Sequence, residues 1–469
     1  MAVRVSTASD TFWHLRAGDW ILEQGQILRE DPFSITRSGE EWKYPGWLAQ
    51  VGLTSAYRLL GFPGLNIVTT LFVVLGLGFT SMAMTGKDSV RVSVLLLAAI
   101  VSAVYWSARP HIITFALTGF FLWVLETHRS GQKNLIWTLP IAMILWANVH
   151  GGFASGFILI FCYLIAELLE VLISSMRASL TLWEAFSIRR NPVFTYIGIG
   201  LICALSLSVN PHGPVMILYP FKTIGIEALQ DYIQEWQSPD FHDPQLYPFI
   251  ASILLLLLAV GSTRKRVDAY DYVLSGVFLI LALTAARNIA LYALVIAPIL
   301  SKHLSSGLEP MLERVKSREQ FDPSLARRLN LTLLVLCALA AGLKIRIPLD
   351  PEVNNEELRK IYPYRAVEFI RESKPAGPMF NSYNWGAFIL WELYPDYRTF
   401  VDGRTDLFND EVLEAYLSAW RGEPEWREVF DRWDIQMAFI ETDAPLRYQL
   451  QLSGWETMYD DDQAVIMVP

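Results

Sequence analysis

Ten stretches of this chain, at about 64–85, 90–107, 111–127, 134–149, 152–173, 192–209, 246–261, 269–286, 288–304 and 329–347, are apolar and poor in charge. A helix needs roughly 20 such residues to cross the hydrocarbon layer of a bilayer. Lipid offers the backbone no hydrogen bonds, so a spanning segment must be a helix or part of a closed barrel. The runs therefore predict an α-helical polytopic membrane protein of about ten spans, with the membrane body over 63–348. Only 18% of the residues are charged, against about 25% in soluble domains. Cys162, Cys203 and Cys337 all fall inside apolar runs. They read as small buried hydrophobes and not as a disulfide or metal framework.

Short loops rich in Lys and Arg stay in the cytoplasm. Alternate loops hold Lys87 and Arg91; Arg129 and Lys133; Arg177, Arg189 and Arg190; Arg264, Lys265 and Arg266; then Lys302, Arg314, Lys316, Arg318, Arg327 and Arg328. The intervening loops hold only Arg109, Lys222 and Arg287. This alternation predicts that 1–62, 210–245 and 349–469 lie on the external side. Residues 349–469 carry 24 acidic and 11 basic side chains, and the rest of the chain 23 and 27. An acidic external domain thus sits on a slightly basic membrane body. No basic face with interleaved aromatics is present in the polar parts, which argues against a nucleic-acid partner.

The first 20 residues have no apolar core, so no cleavable signal peptide is visible. Residues 1–62 read as an external first loop whose preceding span is absent, or as a tail translocated despite Arg4 and Arg16. Within it, 46–61 predicts a short amphipathic or re-entrant helix. In 349–469, helical spacing at 364–373 and in "DEVLEAYLSAW" and "EWREVFDRW" alternates with strand-like 377–382, 397–404, "IQMAFIET" and a terminal hairpin. This pattern predicts a small three-layer α/β domain.

Asp10 and His14 are i, i+4 neighbours on a helix and share a face. The pair can act as base and phosphate ligand, or help hold a divalent cation such as Mg or Mn. The alternative is an interfacial helix anchored by Trp13 and Trp20 and capped by Asp10. Arg109, His111, Asn148, His150, Asn210, His212, Arg287 and Asn288 lie at span ends predicted to be external. Ionisable groups at membrane depth are costly and face cavities, although each one alone could be a cap or a snorkelling side chain. Together they predict one external cavity, cationic at Arg109 and Arg287, suited to a phosphate or pyrophosphate headgroup. The loop 231–244 adds Glu235, Trp236, Asp240, His242 and Asp243, which could bind a metal or position a nucleophile, or be ordinary turn residues. Asp402 and Asp406 follow a predicted strand end, where α/β ligand crevices form. Turn chemistry with an Asp402–Arg404 or Arg404–Asp406 pair explains them as well. No Walker loop, HExxH, GxSxG or dinucleotide fingerprint occurs.

Taken as a set, "FWHLRAGDWILEQGQILREDPFS", "YPGWLAQ", "RPHIITF", "WANVHGGF", "NPHG", "QEWQSPDFHDP", "ARNIALYALVIAPIL" and the C-terminal "FNSYNWGAFILWEL" and "FVDGRTDLF" resemble bacterial membrane proteins of the GT-C glycosyltransferase superfamily. The resemblance covers most of the chain. It implies a multi-pass protein of the inner (plasma) membrane with a periplasmic C-terminal domain. It also implies transfer of a sugar from a polyprenyl-phosphate lipid donor to an envelope glycan, lipid or protein acceptor, among membrane lipids. By the same resemblance Asp10 matches the first-loop acid that acts as base, with His14 beside it and Arg16 among the substrate contacts. The superfamily's second acid is missing, since Ala8 stands two residues before Asp10; Asp19 or Asp31 are the substitutes in reach. A non-catalytic membrane assembly or receptor protein is the competing reading. A transporter ranks behind both, because no internal repeat with broken spans is visible.

Overall fold

The computed structural model describes residues 8–226, 233–316 and 323–469. Arg4, Arg318 and the first two residues of the 231–244 loop lie outside them. Helices α1 (Asp10–Gln24) and α2 (Trp47–Leu60) lead into α3 (Phe62–Ala83), α4 (Asp88–Ser102), α5 (His111–Arg129), α6 (Thr138–Val149), α7 (Ala154–Ala178) and α8 (Leu182–Ser206). A short α9 (Tyr219–Ile224) precedes α10 (Tyr247–Ser262), α11 (Ala269–Thr284), α12 (Ile289–Lys316) and α13 (Pro323–Leu349). Seven of the described helical segments are long and apolar enough to cross a membrane: Phe62–Ala83, Asp88–Tyr105, Gly151–Ala178, Leu182–Val209, Pro244–Ser262, Ala286–Glu309 and Arg327–Leu349. The chain is a multi-pass membrane protein. The three other expected spans are the helices α5, α6 and α11, of which α6 and α11 are apolar but shorter.

Helix α5 is the centre of the body, burying 12 of its 19 residues. It meets α3 backbone to backbone: a Cβ on Gly119 would lie 2.5 Å from the Gly76 carbonyl oxygen. Small residues permit such close contact, which is how helices gain packing energy in lipid. Capping boxes start α8 (Thr181 with Glu184) and α11 (Asp268 with Asp271). They satisfy amide groups that would otherwise be orphaned at the helix start.

The C-terminal domain contains α14 (Pro351–Arg359), α15 (Tyr364–Ser373), α16 (Tyr383–Leu393), α17 (Thr405–Trp420), α18 (Trp426–Arg432) and α19 (Pro445–Leu452). They surround strands β1 (Met379–Asn381), β2 (Met437–Glu441), β3 (Glu456–Asp460) and β4 (Ala464–Val468), in the order β1-β2-β4-β3. β1 and β2 are parallel, with Phe380 opposite Ala438; β4 is antiparallel to both β2 and β3. The central strands β2 and β4 are buried over their first four residues, so both faces are covered, while β3 is the exposed edge.

The N-terminal segment belongs to this domain's core. Phe12, Trp13, Ala17, Ile21, Phe33 and Trp42 are buried in one cluster with Leu358, Phe388, Phe400 and Phe439. Phe12 packs edge-on against Tyr362 and Phe388, 5.2 and 5.4 Å between ring centres. This corrects the interfacial-anchor reading, since Trp13 is 4% exposed and faces protein. The stretch 397–404 is also not a strand of the sheet. Its backbone pairs instead with the first loop, Thr399 with Phe33 and Ile35. Cys162 and Cys203 are buried as expected, but Cys337 is exposed on the apolar surface of α13.

Candidate active site

Helix α1 is fixed on three sides. Thr11 Oγ1 donates to the Ala108 carbonyl (3.2 Å), Thr54 Oγ1 to that of Leu15 (3.0 Å), and Arg16 Nη2 to that of Trp391 (2.6 Å). These bonds hold Asp10, at the helix start, over the connection between α4 and α5. There Asp10 Oδ2 accepts from Arg109 Nη1 at 2.7 Å and its Oδ1 from Trp13 Nε1 at 3.2 Å. Arg109 Nη2 donates to Glu235 at 2.9 Å. The other Glu235 oxygen lies 3.8 Å from Arg287, whose guanidinium is stacked 4.1 Å from the Trp236 ring centre. The result is a chain of alternating charge, Asp10–Arg109–Glu235–Arg287.

This chain borders a cavity of about 330 Å³ between the membrane body and the C-terminal domain. His14, His111, His150 and Asn288 also line it, and Phe115, Ile158, Phe278, Leu281 and Leu291 supply apolar surface. His111 Nε2 sits 2.6 Å from the Tyr105 carbonyl and so carries a proton there. His150 Nδ1 accepts from the Gly152 amide at 3.1 Å, which leaves the proton on Nε2. His14 is 3% exposed, and among the described residues its Nδ1 has no hydrogen-bond partner. Burial and the adjacent Arg109 push the His14 imidazole well below its ordinary value, so it is neutral. Burial raises Asp10, Arg109 opposes this, and the Glu235 charge adds to the rise; the net result is above the usual carboxylate range. Burial opposes ionisation of Glu235 too, but Arg109 and Arg287 together hold it at about 2.

The cavity therefore brings together Asp10, His14, Arg109, His111, His150, Glu235, Arg287 and Asn288 from five parts of the chain. The other expected residues lie elsewhere. Arg16 is stacked on Trp391 and Tyr394 of the C-terminal domain. Asn148 accepts from Trp47 Nε1 at 2.8 Å and ties α2 to α6. His212 follows Asn210 in a turn, its amide donating to Asn210 Oδ1 at 2.9 Å. Asp240 and His242 pair with each other in solvent, 3.0 Å apart. The expected cationic pocket is also corrected, since Arg109 is bonded on both sides by carboxylates. Glu235, not Asp19 or Asp31, is the second acid near Asp10. Asp19 pairs with Arg58, and Asp31 pairs with Arg404.

Arg404 explains both the "DPFS" turn and the "VDGR" loop. Its Nη1 donates to Asp31 at 2.5 Å, and its Nη2 and Nε donate to Asp402 at 2.7 and 2.8 Å; all three side chains are fully buried. Asp31 also accepts from the Phe33 and Ser34 amides, each at 3.0 Å. This clamp presses Gly403 onto Asp10 so closely that a Cβ there would lie 1.9 Å from Asp10 Oδ1. Tyr44, Tyr219, Trp236, Gly403 and Asp406 line the cavity without having been assigned to it. Among the described residues no three His, Cys, Asp or Glu side chains come together to hold a metal.

No protein-family model and no curated protein matches the sequence. Solved structures do. The crystal structure of the Archaeoglobus fulgidus oligosaccharyltransferase in its apo form is similar with a TM-score of 0.55 and 12% identity, over 94% of this chain and 66% of that one. Archaeal oligosaccharyltransferase AglB from the same organism, in complex with an inhibitory peptide and a dolichol-phosphate, is similar with a TM-score of 0.53 and 12% identity, over the same shares. This chain thus spans just under two thirds of the length of those proteins. At this identity the likeness is one of fold.

Proposed function

We propose that this protein is an integral-membrane glycosyltransferase that moves a sugar from a polyprenyl-phosphate donor to an envelope acceptor on the extracytoplasmic face. The observation that carries the reading is the Asp10–Arg109 pair at 2.7 Å in a cavity with an apolar wall toward the spans. Transfer to an acceptor hydroxyl needs three things: a base at the incoming oxygen, a cation at the departing phosphate, and room for a lipid tail. Asp10 takes the acceptor proton, the acceptor oxygen bonds to the anomeric carbon, and the carbon–oxygen bond to the phosphate breaks. The lipid phosphate leaves with the electron pair, stabilised by Arg109 and Arg287. Fixed guanidinium groups act strongly where water is excluded, and their planar forks suit phosphate oxygens. Arrival of the phosphate competes with Glu235 for the two arginines, so Glu235 acts as a resident anion in the substrate's place. Neutral His14, which lines the cavity with Asp10, accepts a substrate hydroxyl. A phosphate-carrying lipid in a structure of the same fold supports the donor class.

The test is transfer of radiolabelled sugar from lipid donors in membranes that contain Asp10→Asn. This substitution keeps shape and removes proton acceptance, so a loss of about 10²–10⁴-fold is expected. A fully active variant would remove Asp10 as the base, and wild-type membranes that transfer no sugar from any polyprenyl-phosphate donor would leave the cavity as a binding site of a non-catalytic assembly or receptor protein.

A further inference from the structure

The transfer step uses the Arg109 side of the cavity and leaves the wall formed by the C-terminal domain without a role. Asp406, in the first turn of α17, is 9% exposed there. Its Oδ2 accepts from Trp42 Nε1 and from the Tyr219 hydroxyl, both at 3.2 Å. Among the described residues no cation pairs with this carboxylate; the Lys222 ammonium reaches only the Asp406 backbone carbonyl, at 3.5 Å. Buried carboxylates are ordinarily paired, because desolvating an ion costs several kcal/mol. Here two neutral donors share one oxygen, and Oδ1 is left for a donor from the cavity.

The neighbours of Asp406 have one chemical character. Tyr44 stacks on Trp42 with ring centres 5.2 Å apart and planes at 25°, and it meets Trp13 and Tyr219 edge-on at 5.3 and 6.5 Å. His14 lines the same cavity, its ring centre 5.8 Å from that of Tyr44, and among the described residues its Nδ1 has no hydrogen-bond partner. The wall therefore offers aromatic surface edged by two acceptors. A lipid tail has no use for the acceptors, and a phosphate would be repelled by Asp406. A pyranose ring matches both features, with C–H groups against the aromatic rings and hydroxyls donating to Asp406 and His14.

Building on the transferase reading, we infer that Asp406, with Tyr44, Tyr219 and His14, forms a hexose-binding subsite on the domain side of the phosphate-binding arginines. The ring it holds comes from the donor or from the acceptor, and the test separates the two. Full-length protein in nanodiscs is titrated with bare short-chain polyprenyl phosphate and with the same lipid carrying a hexose. In a second arm, protein saturated with the bare lipid is titrated with methyl mannoside, glucoside and galactoside. Asp406→Asn should lose about 10- to 100-fold of the hexose-dependent affinity, the range for a hydrogen bond to a charged group. Bare-lipid affinity should stay the same. Tyr219→Phe removes only the hydroxyl that orients Asp406, and should lose about 2- to 10-fold. An effect in the first arm assigns the subsite to the donor ring, and an effect in the second to the acceptor ring. Hexose-dependent affinity unchanged in both arms and both folded variants overturns the subsite. Failure of the wild type to bind bare polyprenyl phosphate, with methyl hexosides still bound through Asp406, overturns the transferase reading and leaves the subsite standing.

Discussion

Both ends of α5 carry an arginine held by two carboxylates. At the His111 end, Arg109 meets Asp10 at 2.7 Å and Glu235 at 2.9 Å. At the other end, about 27 Å away at 1.5 Å per residue, Arg129 meets Glu126 and Asp268, each at 3.1 Å. Beyond this symmetry the two clusters differ. Around Arg129 every buried acid finds a cation: Glu167 pairs with Arg189 at 2.6 Å, Glu170 with Arg266 at 3.0 Å, and Asp271 with Lys302 at 2.7 Å, with the His303 ring a further 2.9 Å contact of Asp271. Tyr270 closes the remaining oxygen of Glu167. Around Arg109, among the described residues, Asp406 has no cation and His14 Nδ1 has no partner. The cavity beside Arg129 is nevertheless the larger, about 660 Å³ against 330 Å³. Neither volume nor charge density separates the two clusters in the direction of function; what separates them is unfinished bonding, which leaves groups to meet a ligand.

Breaking the finished cluster should have the largest effect, on stability alone. Lys302→Met removes the ammonium bonded to Asp268 and Asp271 and leaves the buried Asp271 with His303 alone. The expected cost is about 3–5 kcal/mol, the range for breaking a buried pair. Thermal unfolding in detergent reads it, with transfer per folded molecule unchanged. A loss of turnover at full stability would move function to this end. At the Arg109 end the signs reverse. Gly403→Ala puts a methyl group where Asp10 Oδ1 and Trp13 Nε1 now lie at 1.9 and 3.1 Å. Displacing a reacting group by about 1 Å costs on the order of 10²-fold in rate, while unfolding temperature should hardly move. The smallest effect concerns pH. Asp10 must be ionised to act as base, and its value lies above the ordinary 3.8, so the rate falls as pH drops through that raised value. Glu235→Gln removes one cause of the rise and frees Arg109 for Asp10. The acid limb of the pH–rate profile should therefore shift to lower pH; an unmoved limb would uncouple Glu235 from the base.

The apolar runs and the polar span ends could be read along the chain because each depends on residues close in sequence. The convergence of Arg109, His150 and Arg287 was legible for the same reason, once alternate loops were sorted by charge. Asp406 was not separable from Asp402, since both follow the same predicted strand. Only the placement of Asp31 and Trp42, more than 360 residues earlier, makes one a clamp and the other a cavity wall. Gly403 reads as a turn glycine until Asp10 is set against it. The Arg129 cluster had a local signal that went unused, the acids Glu167 and Glu170 within an otherwise apolar run; membrane-embedded acids require partners.

The buried Arg404 clamp has a consequence for how the protein is made. Asp31 and Arg404 are separated by 373 residues. At about 5–20 residues per second of synthesis, Asp31 waits roughly 20–75 s for its guanidinium. Through that interval the spans between them insert, while Phe12, Trp13, Phe33 and Trp42 have no core to enter. The nascent first loop is thus an exposed aromatic segment for most of translation.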